Sequence, residues 1–310
     1  MKRVLVTGAA GLLGRFVVKE LCDRDCEVRG FDRRAGDADI EWQVGDVTDT
    51  AASKLAARGM DAVIHMAAIP NIWSGDGQTI MRVNTLGTYN VFEAAEAAGI
   101  ERVVFCSSDS VAGYTVREGR MLAPRYAPLD IAHPLLATDP YAVSKVLGED
   151  IARSFAWRGM SVVALRTVFV AYPDMAGEIV ARAQNPVAYR GPTVCGPSAA
   201  GGGPLFHHID ARDVARAFRL ALTLPMQPGD FERFYLSARV TLSPEPTLDR
   251  LRRLHGGAVE IRRPEVYERE PFAPLYDLTH AAERLGFIAA HNQRHLLVRS
   301  ADLETTRSSS

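Results

Sequence analysis

Short apolar runs of strand length alternate with longer stretches of helical spacing along most of this chain. Arg3 to Val6, Glu27 to Phe31, Ile40 to Val44, Asp61 to His65, Arg102 to Cys106 and Ser161 to Leu165 read as strands. Phe16 to Leu21, Thr79 to Ala98 (stopped by Gly99) and Tyr141 to about Arg158 (stopped by Gly159) read as helices. Repeated strand–helix alternation predicts an α/β fold with a parallel, doubly wound sheet. After Val170 the pattern loosens. Gly196 to Pro204 reads as a loop, and Ala211 to Leu222, Thr247 to Leu254 and Thr279 to Leu285 as helices.

The first strand enters Thr7-Gly8-Ala9-Ala10-Gly11-Leu12-Leu13-Gly14, and a helix-compatible stretch follows. Strand, glycine turn and helix in that order are the context of a dinucleotide fingerprint, here spaced G-x-x-G-x-x-G. The glycines allow a tight turn, close approach to a pyrophosphate and close helix–strand packing. The helix N-terminus then offers free N–H groups to the phosphates. The second strand ends at Asp32, where an acid would hold the adenosine ribose and favour NAD. Arg33 and Arg34 follow and could bind a 2′-phosphate, so NADP stays open. Asp46, with Val47 beside it, is read equally as an adenine contact or a loop acid.

Tyr141 and Lys145 are four residues apart, on one face of a helix for which Asp139 is a good N-cap and Pro140 a good first residue. A phenol ionises near pH ~10, so bringing it to ~7 takes about 4 kcal/mol of differential stabilisation. A neighbouring ammonium and a bound nicotinamidium would supply it, giving a general acid or base for an alcohol or ketone. Nine Tyr and four Lys in 310 residues give about 0.1 such pairs by chance, so the glycine turn is what lends the pair its meaning.

A chain of this length suits a Rossmann-type domain with a smaller C-terminal substrate-binding domain. We assign residues 1–168 to the first, with about 206–240 folding back onto it. Residues 169–205 and 241–300 go to the second, and 301–310 to a flexible tail. Net charge is −1, which leaves no basic footprint for nucleic acid. No apolar run approaches the ~20 residues of a membrane span, and no leader sequence is evident. Cys22, Cys26, Cys106 and Cys195 have no metal-ligand spacing and read as reduced thiols; no metal is expected and a cytoplasmic location is.

The whole chain resembles the extended short-chain dehydrogenase/reductases, the NAD-dependent epimerase/dehydratase group. The matching pieces are Thr7 to Gly14, His65-Met66-Ala67-Ala68, Asn84 to Thr88, Cys106-Ser107-Ser108 and Tyr141 with Lys145. Leu165-Arg166, His208-Ile209-Asp210 and Tyr276-Asp277 complete them in family order. The resemblance implies Tyr141 as acid/base, Lys145 on the nicotinamide ribose, and Ser108 on the reacting oxygen. It places Ala67 and Ala68 along the cofactor and has Asn84 order the active-site helix. It also implies a homodimer, through a bundle of the Thr79–Ala98 and Tyr141–Arg158 helices. His65 reads as a packed strand-end residue. Arg166 reads as a contact for a substrate phosphate or carboxylate, or equally as a structural ion pair.

Departures from the family pattern narrow the activity. Dehydratases carry an acid two places after the catalytic hydroxyl; here that place is Ser110, although Asp109 sits beside it. A serine cannot act as a carboxylate base, so dehydration is disfavoured. The stretch from Gly201 to His207 lacks the arginine that often meets a nucleotide-sugar diphosphate; Arg182, Arg190 or Arg269 would have to replace it. Ser107, Ser108, Gly113 and Tyr114 resemble uronate dehydrogenases. The expected substrate is therefore sugar-like, met at Ser108, Asp109, Ser110 and Arg166. The expected activity is a sugar epimerase or a sugar dehydrogenase/ketoreductase. A non-catalytic cofactor-sensing or scaffold protein is the competing class.

Overall fold

The structure is a computed structural model that describes residues 2–113, 122–184 and 207–297. The Gly196–Pro204 loop, Cys195, Arg190, Tyr114 and the tail lie outside the described residues. Chain order runs β1 (Arg3–Thr7), α1 (Gly14–Cys22), β2 (Glu27–Asp32), β3 (Glu41–Val44), α2 (Thr50–Ala57) and β4 (Ala62–His65). Then come α3 (Gly77–Met81), a π-helical turn (Arg82–Leu86), α4 (Gly87–Ala97), β5 (Arg102–Ser108), β6 (Tyr126–Ala127) and α5 (Pro140–Ala156). The second half holds β7 (Ser161–Thr167), β8 (Phe169–Ala171), α6 (Ala176–Gln184), β9 (His208–Asp210), α7 (Ala211–Thr223) and β10 (Phe231–Leu236). It closes with α8 (Thr247–His255), β11 (Glu260–Ile261), α9 (Pro264–Arg269) and α10 (Thr279–Arg284).

Seven strands form one parallel sheet in the order β10-β7-β5-β4-β1-β2-β3. The doubly wound fold is thus present. Its central strands are nearly continuous Val, Ile and Ala because helices cover both faces. One face buries Val17, Leu21, Val214 and Phe218; the other buries Phe92, Ala95, Phe105 and Phe155. The order reverses between β1 and β4, and a crevice opens there at the carboxyl ends of the strands.

The helix expected over Thr79–Ala98 is three pieces, because one extra residue per turn enters at Arg82–Leu86. π-turns of this kind often mark functional sites. This one carries Asn84. Its side chain donates to Ile69 O (3.0 Å) and Ser144 Oγ (3.0 Å) and accepts from Ile69 N (2.7 Å). The turn therefore ties the loop after β4 to α5. The smaller strands β6 and β11 pair with each other, and β8 pairs with β9, so the second half of the chain closes over the carboxyl edge of the sheet. β10 extends the main sheet beside β7.

Candidate active site

Two glycines in the first turn are placed by space alone. Gly8 adopts φ +73°, and a Cβ there would lie 2.9 Å from Ala67 N. A Cβ on Gly14 would lie 2.2 Å from Gly8 O. The turn therefore closes tightly, and α1 begins with Leu13 in the cap position and no side-chain cap. Arg15 N and Phe16 N bond back to Gly11 O (3.2 Å) and Leu13 O (3.0 Å), while Leu12, Leu13 and Gly14 just ahead of them line the cleft. Asp32 accepts from Ala10 N (3.0 Å) and Arg33 N (2.7 Å), which holds its carboxylate at the end of β2. Asp46 accepts from Thr48 N and Oγ1 (both 2.8 Å). These bonds and the charges of Arg33 and Arg82 hold Asp46 below the usual carboxylate range, although burial pushes it up.

Thr7 links this turn to β4. Its Oγ1 accepts from Met66 N and Ala67 N (both 3.1 Å), which commits its proton to His65 Nδ1 at 2.7 Å. His65 then carries its own proton on Nε2 and donates to Thr88 Oγ1 (2.9 Å). Burial lowers His65 to about 3, so it stays neutral. It is a packed, fully bonded strand-end residue.

Ser108 ends β5, and its Oγ accepts from Ser110 N at 3.2 Å and donates to Asp109 Oδ1 at 3.3 Å. It lies close enough to the Tyr141 hydroxyl to favour the phenolate. Tyr141 leaves the first turn of α5, whose N-cap Asp139 accepts from Ala142 N (2.9 Å). One helical turn later, Lys145 Nζ donates to Cys106 O (2.7 Å). Burial raises Tyr141 above the ordinary phenol value and lowers Lys145 below the ordinary amine value. The phenol therefore keeps its proton at neutral pH. Burial is the largest cause, Cys106 and Asp109 add to it, and the Ser108 hydroxyl offsets it only in part.

These groups line one cleft of about 620 Å³. Gly8, Gly11, Leu12, Leu13, Gly14, Asp32, Arg33, Asp46 and Val47 line it at the glycine-turn end. Ala67 and Ala68 run along its middle, and Ser108, Asp109, Ser110, Tyr141 and Lys145 close the other end. Ala10 and Asn84 stand behind the lining, Ala10 through Asp32 and Asn84 through Ile69 and Ser144.

Arg166 does not reach the cleft, which corrects its reading as a substrate contact. It is fully buried and gives both Nε and Nη2 to Glu149 at 2.8 Å, and Nη1 to Tyr235 OH at 3.0 Å. Of its two sequence readings, the structural ion pair is the one present.

Sequence reasoning missed Trp73, Phe169, Tyr172 and His207 in the cleft wall, and Arg82 at its glycine-turn end. It also missed the bond from Tyr276 OH to Asp109 Oδ2 (2.7 Å). The Tyr276-Asp277 pair was visible as a motif, but nothing local pointed across 167 residues to Asp109.

The cleft fits a dinucleotide: glycines that nothing larger could replace, an uncapped helix end, an acid at the end of β2, and enough length for both nucleosides. Among the described residues no group of His, Cys, Asp and Glu could hold a metal, and no helix is long and apolar enough to cross a membrane.

Comparison with known proteins agrees with this geometry. Residues 4–235 match the NAD dependent epimerase/dehydratase family. An L-arabinose 1-dehydrogenase (NAD(P)(+)) of Haloferax volcanii is 36% identical over 186 residues, 57% of this chain and 71% of that protein. A uronate dehydrogenase of Agrobacterium fabrum is 35% identical over 158 residues, 50% of this chain and 56% of that protein. A short-chain dehydrogenase/reductase superfamily protein from Agrobacterium tumefaciens, solved with bound NAD, superposes with TM-score 0.70. It is 26% identical, and the match covers 98% of both chains. MoeE5 in complex with UDP-glucuronic acid and NAD gives TM-score 0.67 at 26% identity, covering 99% of this chain and 100% of that one.

Proposed function

Since the chain belongs to the NAD-dependent epimerase/dehydratase family, we propose that it is an NAD-linked dehydrogenase acting on a secondary alcohol of a sugar-like substrate. The observation that carries this reading is the meeting of Ser108, Tyr141 and Lys145 at the closed end of the dinucleotide cleft. When bound, the nicotinamide supplies hydride acceptance. Leu12, Leu13 and Gly14 would hold the pyrophosphate and Asp32 the adenosine ribose. Ser108 Oγ orients the reacting oxygen and Tyr141 takes its proton, with Lys145 placed by Cys106 O to hold the nicotinamide ribose. Ser110 has no carboxylate for proton removal next to a ketone, which argues against dehydration.

The sugar dehydrogenase relatives favour net oxidation. The UDP-sugar complex of a structural neighbour favours a second reading, a nucleotide-sugar epimerase that retains its cofactor. Denaturing the purified protein and measuring released NAD and NADP separates the two. An empty protein that turns over NAD with L-arabinose, D-galactose or a uronate supports the dehydrogenase. Near-stoichiometric bound NAD and turnover of UDP-galactose supports the epimerase and overturns our first choice. Tyr141→Phe tests both: turnover should fall by about 10²–10⁴-fold with cofactor binding largely kept. Unchanged turnover would sink the catalytic reading and favour a sensing protein.

Tyr89 on α4, Leu147 on α5, Leu86 just before α4 and Trp157 just after α5 are exposed, which supports a homodimer through these helices. Sedimentation as a monomer at micromolar concentration refutes it.

A further inference from the structure

Asp109 sits in the substrate end of the cleft, next to the residue that meets the reacting oxygen. Its carboxylate has two side-chain donors, Tyr276 OH (2.7 Å) and Ser108 Oγ (3.3 Å), and both are neutral hydroxyls. Among the described residues it makes no ion pair. Tyr276 is packed between Tyr235, stacked on it at 4.7 Å, and His207 of the cleft wall, edge-on at 5.0 Å. Tyr141 faces Asp109 from α5. The cation behind this group, Arg166, is already committed to Glu149. A carboxylate can accept about four hydrogen bonds, the two hydroxyls take one on each oxygen, and Asp109 lines the cleft, so it can take a further bond from a ligand there.

We propose that Asp109, clamped by Tyr276, is a specificity-determining residue that commits the cleft to an uncharged, polyhydroxylated substrate. It accepts from a hydroxyl beside the reacting carbon and repels a substrate carboxylate or phosphate. The inference rests on the reading of the cleft as a sugar-alcohol site and deepens it. Burial pushes Asp109 up to about 6, because its two hydroxyl donors and the backbone N–H groups of Ser110 and Asp109 offset the loss of water only in part. A further donor, from substrate, would favour the ionised form. Substrate binding is therefore strongest above that pH and weakens as the carboxylate takes up a proton. A like charge about 7 Å away in a partly buried site lowers affinity by roughly 30-fold or more.

The test compares D-galactose with D-galacturonate, and D-glucose with D-glucuronate, as substrates for NAD-linked oxidation. Each pair differs only in replacing a hydroxymethyl group by a carboxylate. We expect kcat/KM for the neutral sugar to exceed that for its acid by about 30-fold. Asp109→Asn should narrow the ratio at least tenfold, through the KM of the acid. In the wild type, KM for the neutral sugar should rise as pH falls from 7 to 5; in Asp109→Asn it should stay flat. Tyr276→Phe keeps the charge but removes a bond that favours it, so its KM rise should begin at higher pH. A wild-type preference for the uronate, or a ratio unmoved by Asp109→Asn, overturns the inference and leaves the dehydrogenase reading standing. Turnover of none of the four sugars with NAD or NADP, while UDP-galactose is epimerised, overturns both.

Discussion

Lys145 Nζ lies 5.7 Å from the centre of the Tyr141 ring and donates instead to the carbonyl of Cys106, 2.7 Å away. The lysine is thus anchored on β5, and its remaining donors serve the cleft. Burial lowers Lys145 and raises Tyr141, so each is pushed toward its neutral form. Replacing Lys145 by Met should move the ionisation limb of kcat to higher pH and cut turnover at pH 7 by about 10²-fold. A pH–rate profile checks this; a limb that stays in place removes Lys145 from the proton chemistry.

The acid side of stability should be governed by buried imidazoles. Burial lowers His65 and His207 to about 3 and His208 to about 4. An unfolded histidine titrates near ~6.5. Their stabilisation is therefore complete above that pH and is lost as pH falls toward the folded values. Asp109, raised to about 6, acts in the opposite sense below that pH and offsets one of the three. Roughly two protons remain, and His133 and His255, also lowered by burial, add to them, so stability should fall by about 3 kcal/mol per pH unit between 6 and 4. Urea unfolding across this range measures the slope. A flat profile would mean that these imidazoles charge in the folded state.

Gly14 has no room for a side chain, since a Cβ would meet Gly8 O at 2.2 Å and Ala9 O at 2.6 Å, both backbone atoms. Gly14→Ala should cost about 1–3 kcal/mol of stability and weaken NAD binding by pushing α1 off the turn. Thermal unfolding with and without NAD reads both effects. A variant as stable as wild type with equal NAD affinity would contradict this close packing.

The Arg166–Glu149 pair should behave as a buried ion pair. Removing either partner alone strands a charge and should cost about 3–5 kcal/mol. Replacing both by apolar residues of similar size should recover most of the loss. A double-mutant cycle in urea tests the coupling; additive losses would show that the two groups act independently.

The local features of this protein were legible in its sequence because they depend on neighbours along the chain. Backbone sterics and the strand and helix periods set β1, the glycine turn, α1 and Asp32. The four-residue spacing of Tyr141 and Lys145 sets their shared face on α5. Wherever a side chain chooses between distant partners, local pattern carries no preference, and tertiary structure decided the outcome. Arg166 could have faced a substrate; burial beside Glu149 made that impossible, since a desolvated guanidinium must take the nearest carboxylate. The apolar pattern from Thr79 to Ala98 read as one helix, yet Asn84 bonds to Ile69 and Ser144 across a π-helical turn. Tyr276 reached Asp109 only once the end of the chain had folded over the carboxyl edge of the sheet. Sequence alone thus determined the glycine turn and the Tyr141–Lys145 face, and long-range packing determined which distant side chains meet them.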